Sequence, residues 1–445
     1  TEDKPDQSDE KKADLASEPK PRGFGAPANL LVATLGDALR EQWPRSKIVG
    51  LSLKDRSAIM PVGRKPDACY WFDKGEFVTS TYYRDRLHPW ASEFNAAKSC
   101  DRWFGKKWEK LRTDLDYEKH SSADDSSGEG TGSKQGKTFP HPFGAAEKIG
   151  KEYYDALAAS PFGNQLLLDF AFRAIEAEQL GKDDVPDLLT ISFSSNDLVG
   201  HAWGPDSQEV LDITLRSDEI IRDLLNYLDA HVGKGRYVIA MSADHGVCPL
   251  PEHSKAAGKN ADRQAPLGLL TAAEAHLRMK YAEPADAKTR WIEAANEAGI
   301  YLNQRMLTAH KLQPAEVAAT LVAWLKEQPV IHDAFARDEL LKAPLSENPL
   351  IRRVQKSLHA ERSGDVYFVV KPYHLITSYK TGTTHGTPHS YDTHVPLVLF
   401  GPGVKAGKRG DAVTPQACAA ILANALGVRP PATAEAPLPD KLFER

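Results

Sequence analysis

Five residues of this chain have the types and spacings of a metal site: Asp197, His201, Asp244, His245 and His385. Asp197 and His201 are four apart, so one helical turn sets both side chains on one face. Asp244 and His245 are adjacent and precede Gly246, so at a strand end opening into a loop they can reach in two directions. His385 falls in the run Thr384-His-Gly-Thr-Pro-His389. Carboxylate oxygen and imidazole nitrogen are ordinary zinc ligands. Two metal ions about 3.5–4 Å apart can hold the attacking and leaving oxygens of an in-line phosphoryl displacement. Their charge also lets a mildly acidic protein bind a phosphate. Each motif alone has a plainer reading, such as a capping Asp beside a surface His. Together, and in this relation to the strands, they read as metal ligands. His389 and His394 read as supporting or surface histidines.

The elements that must position these residues are legible as alternating strands and helices. Leu188–Phe193 and Arg236–Met241 are short apolar runs, and the Asp197 and Asp244 motifs follow their carboxyl ends. Ligand sites of open α/β sheets lie there. Further strands are expected at 47–53, 366–370 and 395–400, and helices at 151–179, 207–232, 314–327 and 414–426. The alternation implies an α/β fold, a three-layer sandwich with a largely parallel central sheet. Residues 1–27 are charged and aperiodic, a flexible lead-in. Residues 28–445 form the α/β domain. Within it, 60–145 is rich in aromatic and polar residues and is expected as a cap or accessory segment. The Ser/Gly-rich stretch 121–137 is expected there as a mobile surface loop.

The bulk numbers exclude several classes. The chain has 445 residues, 41% hydrophobic, enough for a real core. Its formal net charge of −5 argues against a nucleic-acid or membrane-surface binder. No apolar run is long enough for a transmembrane helix, and no signal peptide opens the chain. Four cysteines, Cys69, Cys100, Cys248 and Cys418, form no C-x-x-C pair, so no structural zinc knuckle is indicated, and their spacing leaves disulfides open.

With these motifs in this order, the chain resembles the alkaline phosphatase superfamily. The resemblance is closest to its bacterial branch of monomeric, broad-specificity, phosphate-irrepressible enzymes. Related phosphodiesterases and nucleotide pyrophosphatases share the metal motifs. The stretches that carry it are Asn29–Asp37, Val49–Ala58, Tyr70–Asp73 and Val78–Tyr83, then the Asp197, Asp244 and His385 motifs. The resemblance implies two zinc ions. One would be held by Asp197, His201 and His385, and Asp244 and His245 would belong to the other. Lys54 and Arg56 resemble the cation pair that contacts the phosphate oxygens. If the chain stays extended there, alternate residues point the same way, and Arg and Lys both suit a phosphoryl group. Asp55 would then point away.

The resemblance further implies a phosphomonoesterase working through a phospho-enzyme on small phosphate esters, as a monomer, in the periplasm or outside the cell. It also implies a first strand ending in an Asp, and a Thr or Ser nucleophile at a helix start. Neither is found, so the expectation is a family member lacking its N-terminal portion, with the nucleophile unassigned. Two other readings stay open: a phosphodiesterase or nucleotide pyrophosphatase using the same metals, and a metal-binding fragment without catalysis.

Overall fold

A computed structural model describes residues 25–143, 148–281, 289–296 and 299–443. Most of the expected lead-in, residues 1–24, lies outside the described residues. The chain divides into two compact units, and the candidate residues fall in both.

The first unit takes residues 1–102, 166–193 and 423–434. Its sheet orders Glu76–Val78, Ala68–Asp73, Ile48–Ser52 and Leu188–Ser192 side by side. Ile48–Ser52 pairs in parallel with both neighbours, Val49 lying opposite Ala68 on one side and Leu189 on the other. All five of its residues are buried, as a near-continuous Val/Ile/Leu run in a parallel sheet should be. Gly50 has a packing reason: a Cβ there would come within 2.4 Å of the Ala58 carbonyl oxygen in the helix laid over the strand. Helix Leu35–Gln42 starts at a capping box, Thr34 accepting from the Asp37 N–H while Asp37 accepts from the Thr34 N–H. An aromatic core closes one side of the sheet, with Phe77 stacked on Phe170 at 3.8 Å.

Two expectations are corrected here. Residues 60–145 are not one accessory segment. Ala68–Asp73 is a strand of the main sheet with its first four residues buried, because the apolar-aromatic run Ala-Cys-Tyr-Trp-Phe favours a buried strand. The chain also turns directly into helix Asp55–Val62, with Lys54 as its N-cap residue. Lys54 and Arg56 therefore do not share a face through strand alternation, since helical residues advance by about a hundred degrees each. Lys54 is half-buried, and Asp55 and Arg56 are exposed.

The second unit takes residues 103–165, 194–422 and 435–445. Strand Ile239–Ser242 pairs antiparallel with Leu397–Phe400. A separate antiparallel sheet orders Ile331–Ala336, Val366–Val370, Gly299–Leu302 and Ile292–Ala295. Helices Pro266–Lys280 and Pro314–Lys326 contribute to its own core, where Trp291, Ile300, Leu321 and Leu325 are fully buried. The expected helix over 151–179 is two helices, Lys151–Ala158 and Pro161–Ala177. Pro161 cannot continue a helix but suits the first position of a new one. Helix Gln208–Leu228 begins at Ser207, whose hydroxyl caps the Val210 N–H.

The stretch 121–137 contains no strand or helix, yet it is not all at the surface. Glu129 and Gln135 are 1% exposed, and the Gly130 N–H donates to the Ala202 carbonyl at 2.7 Å. The preceding segment is pinned by Asp212, fully buried in helix Gln208–Leu228. It accepts from Trp108 Nε1, the Leu111 N–H, the Tyr117 hydroxyl and Arg216 Nε, all at 2.6–2.7 Å. All four cysteines stand as thiols. Among the described residues no helix is long and apolar enough to cross a membrane.

Candidate metal centre

Helix Ser195–Trp203 presents Asp197 and His201 one turn apart, as their spacing predicts. His201 Nε2 lies 3.3 Å from Asp197 Oδ1. Two other imidazoles converge on the same oxygen: His385 Nε2 at 3.7 Å and His245 Nε2 at 3.9 Å. The rings of His245 and His385 stack at 3.4 Å, and those of His201 and His385 are 5.0 Å apart. Asp197, His245 and His385 offer ligand atoms all within 4.8 Å of one another. His201 Nε2 is the nearest of the three imidazole nitrogens to Asp197 Oδ1. Asp244 stands at the rim, its side chain 80% exposed, with Oδ2 3.4 Å from His245 Nε2.

Backbone contacts between segments far apart in sequence hold this cluster. The Thr383 N–H donates to the His201 carbonyl, and His201 Nδ1 returns a bond to the Thr383 carbonyl, both at 2.8 Å. The Thr383 hydroxyl donates to the Cys248 carbonyl at 2.7 Å, and the Cys248 N–H to the Thr384 carbonyl at 3.2 Å. The loop carrying His385 is thus tied to both Asp/His segments. Gly246 is required by close approach: its N–H donates to the Asp392 carbonyl at 2.7 Å, and a Cβ would sit 2.1 Å from the Tyr391 carbonyl oxygen. Asp392, 2% exposed, closes the turn after His385 by accepting from the Thr387 N–H and hydroxyl at 2.7 and 2.6 Å.

Protonation states follow from these partners. His201 Nδ1 faces a carbonyl, as does His245 Nδ1, which meets the Gly246 carbonyl at 2.8 Å. A carbonyl only accepts, so each Nδ1 must carry the proton. In the neutral imidazole each Nε2 then offers a lone pair toward Asp197. Burial first, then the neighbouring His245, pushes the His385 imidazole down to about 4, against the pull of Asp197. That ring is neutral at ordinary pH, as a metal ligand must be. When those two rings are neutral, their lone pairs facing a carboxylate oxygen are acceptors facing an acceptor. A cation among them turns that mismatch into coordination, and Nδ1–H bonds to carbonyls are the usual support of metal-bound histidine. The donor set fits a divalent metal ion.

Sequence reading singled out neither Thr383 nor Asp392. Thr383 acts through its hydroxyl and its backbone, and Asp392 through its carboxylate and its main-chain carbonyl; such contacts, across segments distant in sequence, leave no spacing signal. His389, read as supporting, is buried with Nε2 2.8 Å from the Val370 carbonyl, and His394 is exposed. Lys54 and Arg56 belong to the other unit.

Residues 27–392 match the family model described as type I phosphodiesterase / nucleotide pyrophosphatase. The chain is 36% identical to alkaline phosphatase PafA of Elizabethkingia meningoseptica over 393 residues, 87% of this chain and 70% of that protein. It is 36% identical over 398 residues to a protein of Myroides odoratus named calcium-transporting ATPase, with the same coverage. Against alkaline phosphatase PhoV of Synechococcus elongatus the identity is 32% over 394 residues, 87% of this chain and 68% of that one. The crystal structure of wild-type PafA superposes with a TM-score of 0.84 at 32% identity, covering 94% of this chain and 79% of that one.

Proposed function

This chain belongs to the type I phosphodiesterase / nucleotide pyrophosphatase family, and from that premise we propose that it is a metal-dependent phosphomonoesterase of the alkaline phosphatase kind. The observation that carries the metal is the convergence of three imidazole Nε2 atoms on Asp197 Oδ1, two of them with Nδ1 committed to carbonyls. Relatives named alkaline phosphatase at 36% and 32% identity support the reaction class.

The Asp/His donor set suits zinc, and resemblance to the family supports two ions. A bound divalent cation would neutralise phosphate charge and polarise a phosphoryl oxygen. The chain's own residues do the rest. Asp197 would supply the anionic ligand, and His201, His245 and His385 the imidazole ligands. Asp244 would add a second carboxylate at the rim. Lys54 and Arg56 are proposed to neutralise the equatorial phosphoryl oxygens, a role supported by the family's cation pair and by the chemistry of guanidinium and ammonium toward phosphate. Hydrolysis breaks the ester P–O bond and adds water, releasing an alcohol and phosphate. Resemblance supports a phospho-enzyme on the way, and its acceptor oxygen is assigned to no residue here. The substrate class is small phosphate esters.

The test is turnover of p-nitrophenyl phosphate by zinc-loaded protein and by Lys54→Ala. A fall of about a hundredfold in kcat/KM would support the cation role, and unchanged turnover would remove Lys54 from the mechanism. The family model's description favours a second reading, a phosphodiesterase on the same metals. Comparing bis-p-nitrophenyl phosphate with the monoester decides between them. Tight zinc binding with no turnover of either ester would instead mark a metal-binding chain without catalysis.

A further inference from the structure

A cavity of about 290 Å³ opens inside the second unit, with His385 in its wall. Thr384, Gly386, Thr387 and Pro388 of the same loop complete that side. The opposite walls come from helix Pro266–Lys280, through Leu269 and Leu270, and from strand Val366–Val370, through Tyr367 and Phe368. Ile376 and Tyr379 close it further. No Asp, Glu, Lys or Arg is among its described lining residues.

Small-molecule sites are mostly apolar cavities of about 300 Å³ or more, with a few polar groups to orient the ligand. This one has that size and character, and its polar groups are hydroxyls, one amide and two imidazoles. It shares a wall residue with the metal centre, so a group filling it lies against the same loop that carries His385. We propose that the cavity is the leaving-group subsite of the reaction site and selects phosphomonoesters of uncharged, apolar alcohols, aryl alcohols foremost. This rests on the phosphoesterase reading given above.

The chemistry commits to that occupant. A leaving group that carries its own phosphate, such as a nucleoside diphosphate, would bring negative charge into a space with no ionised partner among its described lining residues. A neutral ring buries apolar area against Leu269, Leu270 and Phe368 and can stack on Tyr367 or Tyr379. After the P–O bond breaks, the leaving oxygen takes a proton from water, and the neutral alcohol meets no charged side chain among the described lining residues.

The experiment measures binding of non-hydrolysable phosphonates to the full zinc-loaded chain by calorimetry. The probes are methylphosphonate and 1-naphthylmethylphosphonate, which share a headgroup and differ in the apolar part. The inference predicts that the naphthyl compound binds at least about tenfold tighter, the discrimination that burial of one apolar group supplies. Leu270→Glu and Tyr379→Glu should each bring that ratio below about threefold by placing a carboxylate in the wall. Tyr379 is 61% exposed, so its substitution leaves the fold intact even if Leu270→Glu does not fold. A wild-type ratio near one, or a ratio kept by the variants that fold, overturns the subsite while leaving the phosphoesterase reading standing. Failure of methylphosphonate itself to bind overturns both.

Discussion

Replacing Asp392 with alanine should weaken metal binding without touching a ligand. The carboxylate is 2% exposed and accepts two short bonds from Thr387, at 2.7 Å from the N–H and 2.6 Å from the hydroxyl. Thr387 is two residues beyond His385, so these bonds fix the turn on which that imidazole sits. Hydrogen bonds to a charged group contribute about 1.5–3 kcal/mol each. Thr387 is half-buried and water can recover part of the loss, leaving about 2–3 kcal/mol to loosen the loop. Removal of a group that orients a ligand costs metal affinity about 10–100-fold, or about 1.4–2.8 kcal/mol. The two ranges agree, so most of the lost order should appear in the dissociation constant for zinc. Asp392→Asn keeps a neutral acceptor and should lose about half as much free energy. The Asp392 main-chain carbonyl, which accepts from Gly246, survives in both variants. The assay is competition for zinc against a chromophoric chelator, with far-ultraviolet circular dichroism to confirm folding. A folded Asp392→Ala protein with zinc affinity within twofold of the parent refutes the claim that this turn sets the His385 position.

Asp212→Ala strands the Trp108 indole N–H, the Leu111 N–H and the Tyr117 hydroxyl against a buried helix face. Loss of about 3–5 kcal/mol is expected, read as a lower urea midpoint, and a change under about 1 kcal/mol contradicts the pinning role. Glu129 gives a pH signature. Its buried carboxyl is raised from 4.5 to about 8, by burial first and then by Glu209. The folded chain therefore keeps a proton that the unfolded chain releases near 4.5. This contribution is full below that value and declines as pH rises toward 8. Glu129→Gln should flatten the decline and stabilise the protein at pH above 8 by about 1–3 kcal/mol in chemical denaturation. An unchanged pH profile would place Glu129 in water.

The parts of the fold that were legible in the sequence are those with strong local signals. Leu188–Ser192 and Ile239–Ser242 are apolar runs followed by Asp/His motifs, and the candidate residues Asp197, His201, Asp244 and His245 come just after them. Asp197 and His201 share a helix face because a spacing of four leaves little choice in a helix. Other features depend on what lies nearby in space. The strands Ile292–Ala295 and Ile331–Ala336 carry residues such as Glu293, Ala294, His332 and Asp333, which have weak strand preference alone. They are strands because the neighbouring backbone and the Trp291 core make them so. The helix start at Asp55 is hard to read because no Ser, Thr or Asn stands at the cap position before it. The His385 loop reads as a His in a Gly-rich run. Its anchoring by Thr383, Cys248 and Asp392 is a set of contacts among residues up to 182 positions apart.

We propose that Asp197, His201, His245 and His385 surround a metal ion. Anomalous diffraction at the zinc edge from zinc-loaded crystals of the full chain tests it directly. A peak is expected about 2.0–2.2 Å from an Asp197 carboxylate oxygen and from the Nε2 atoms of at least two of the three histidines. No peak within coordination distance of Asp197, with the crystals fully loaded, would contradict it.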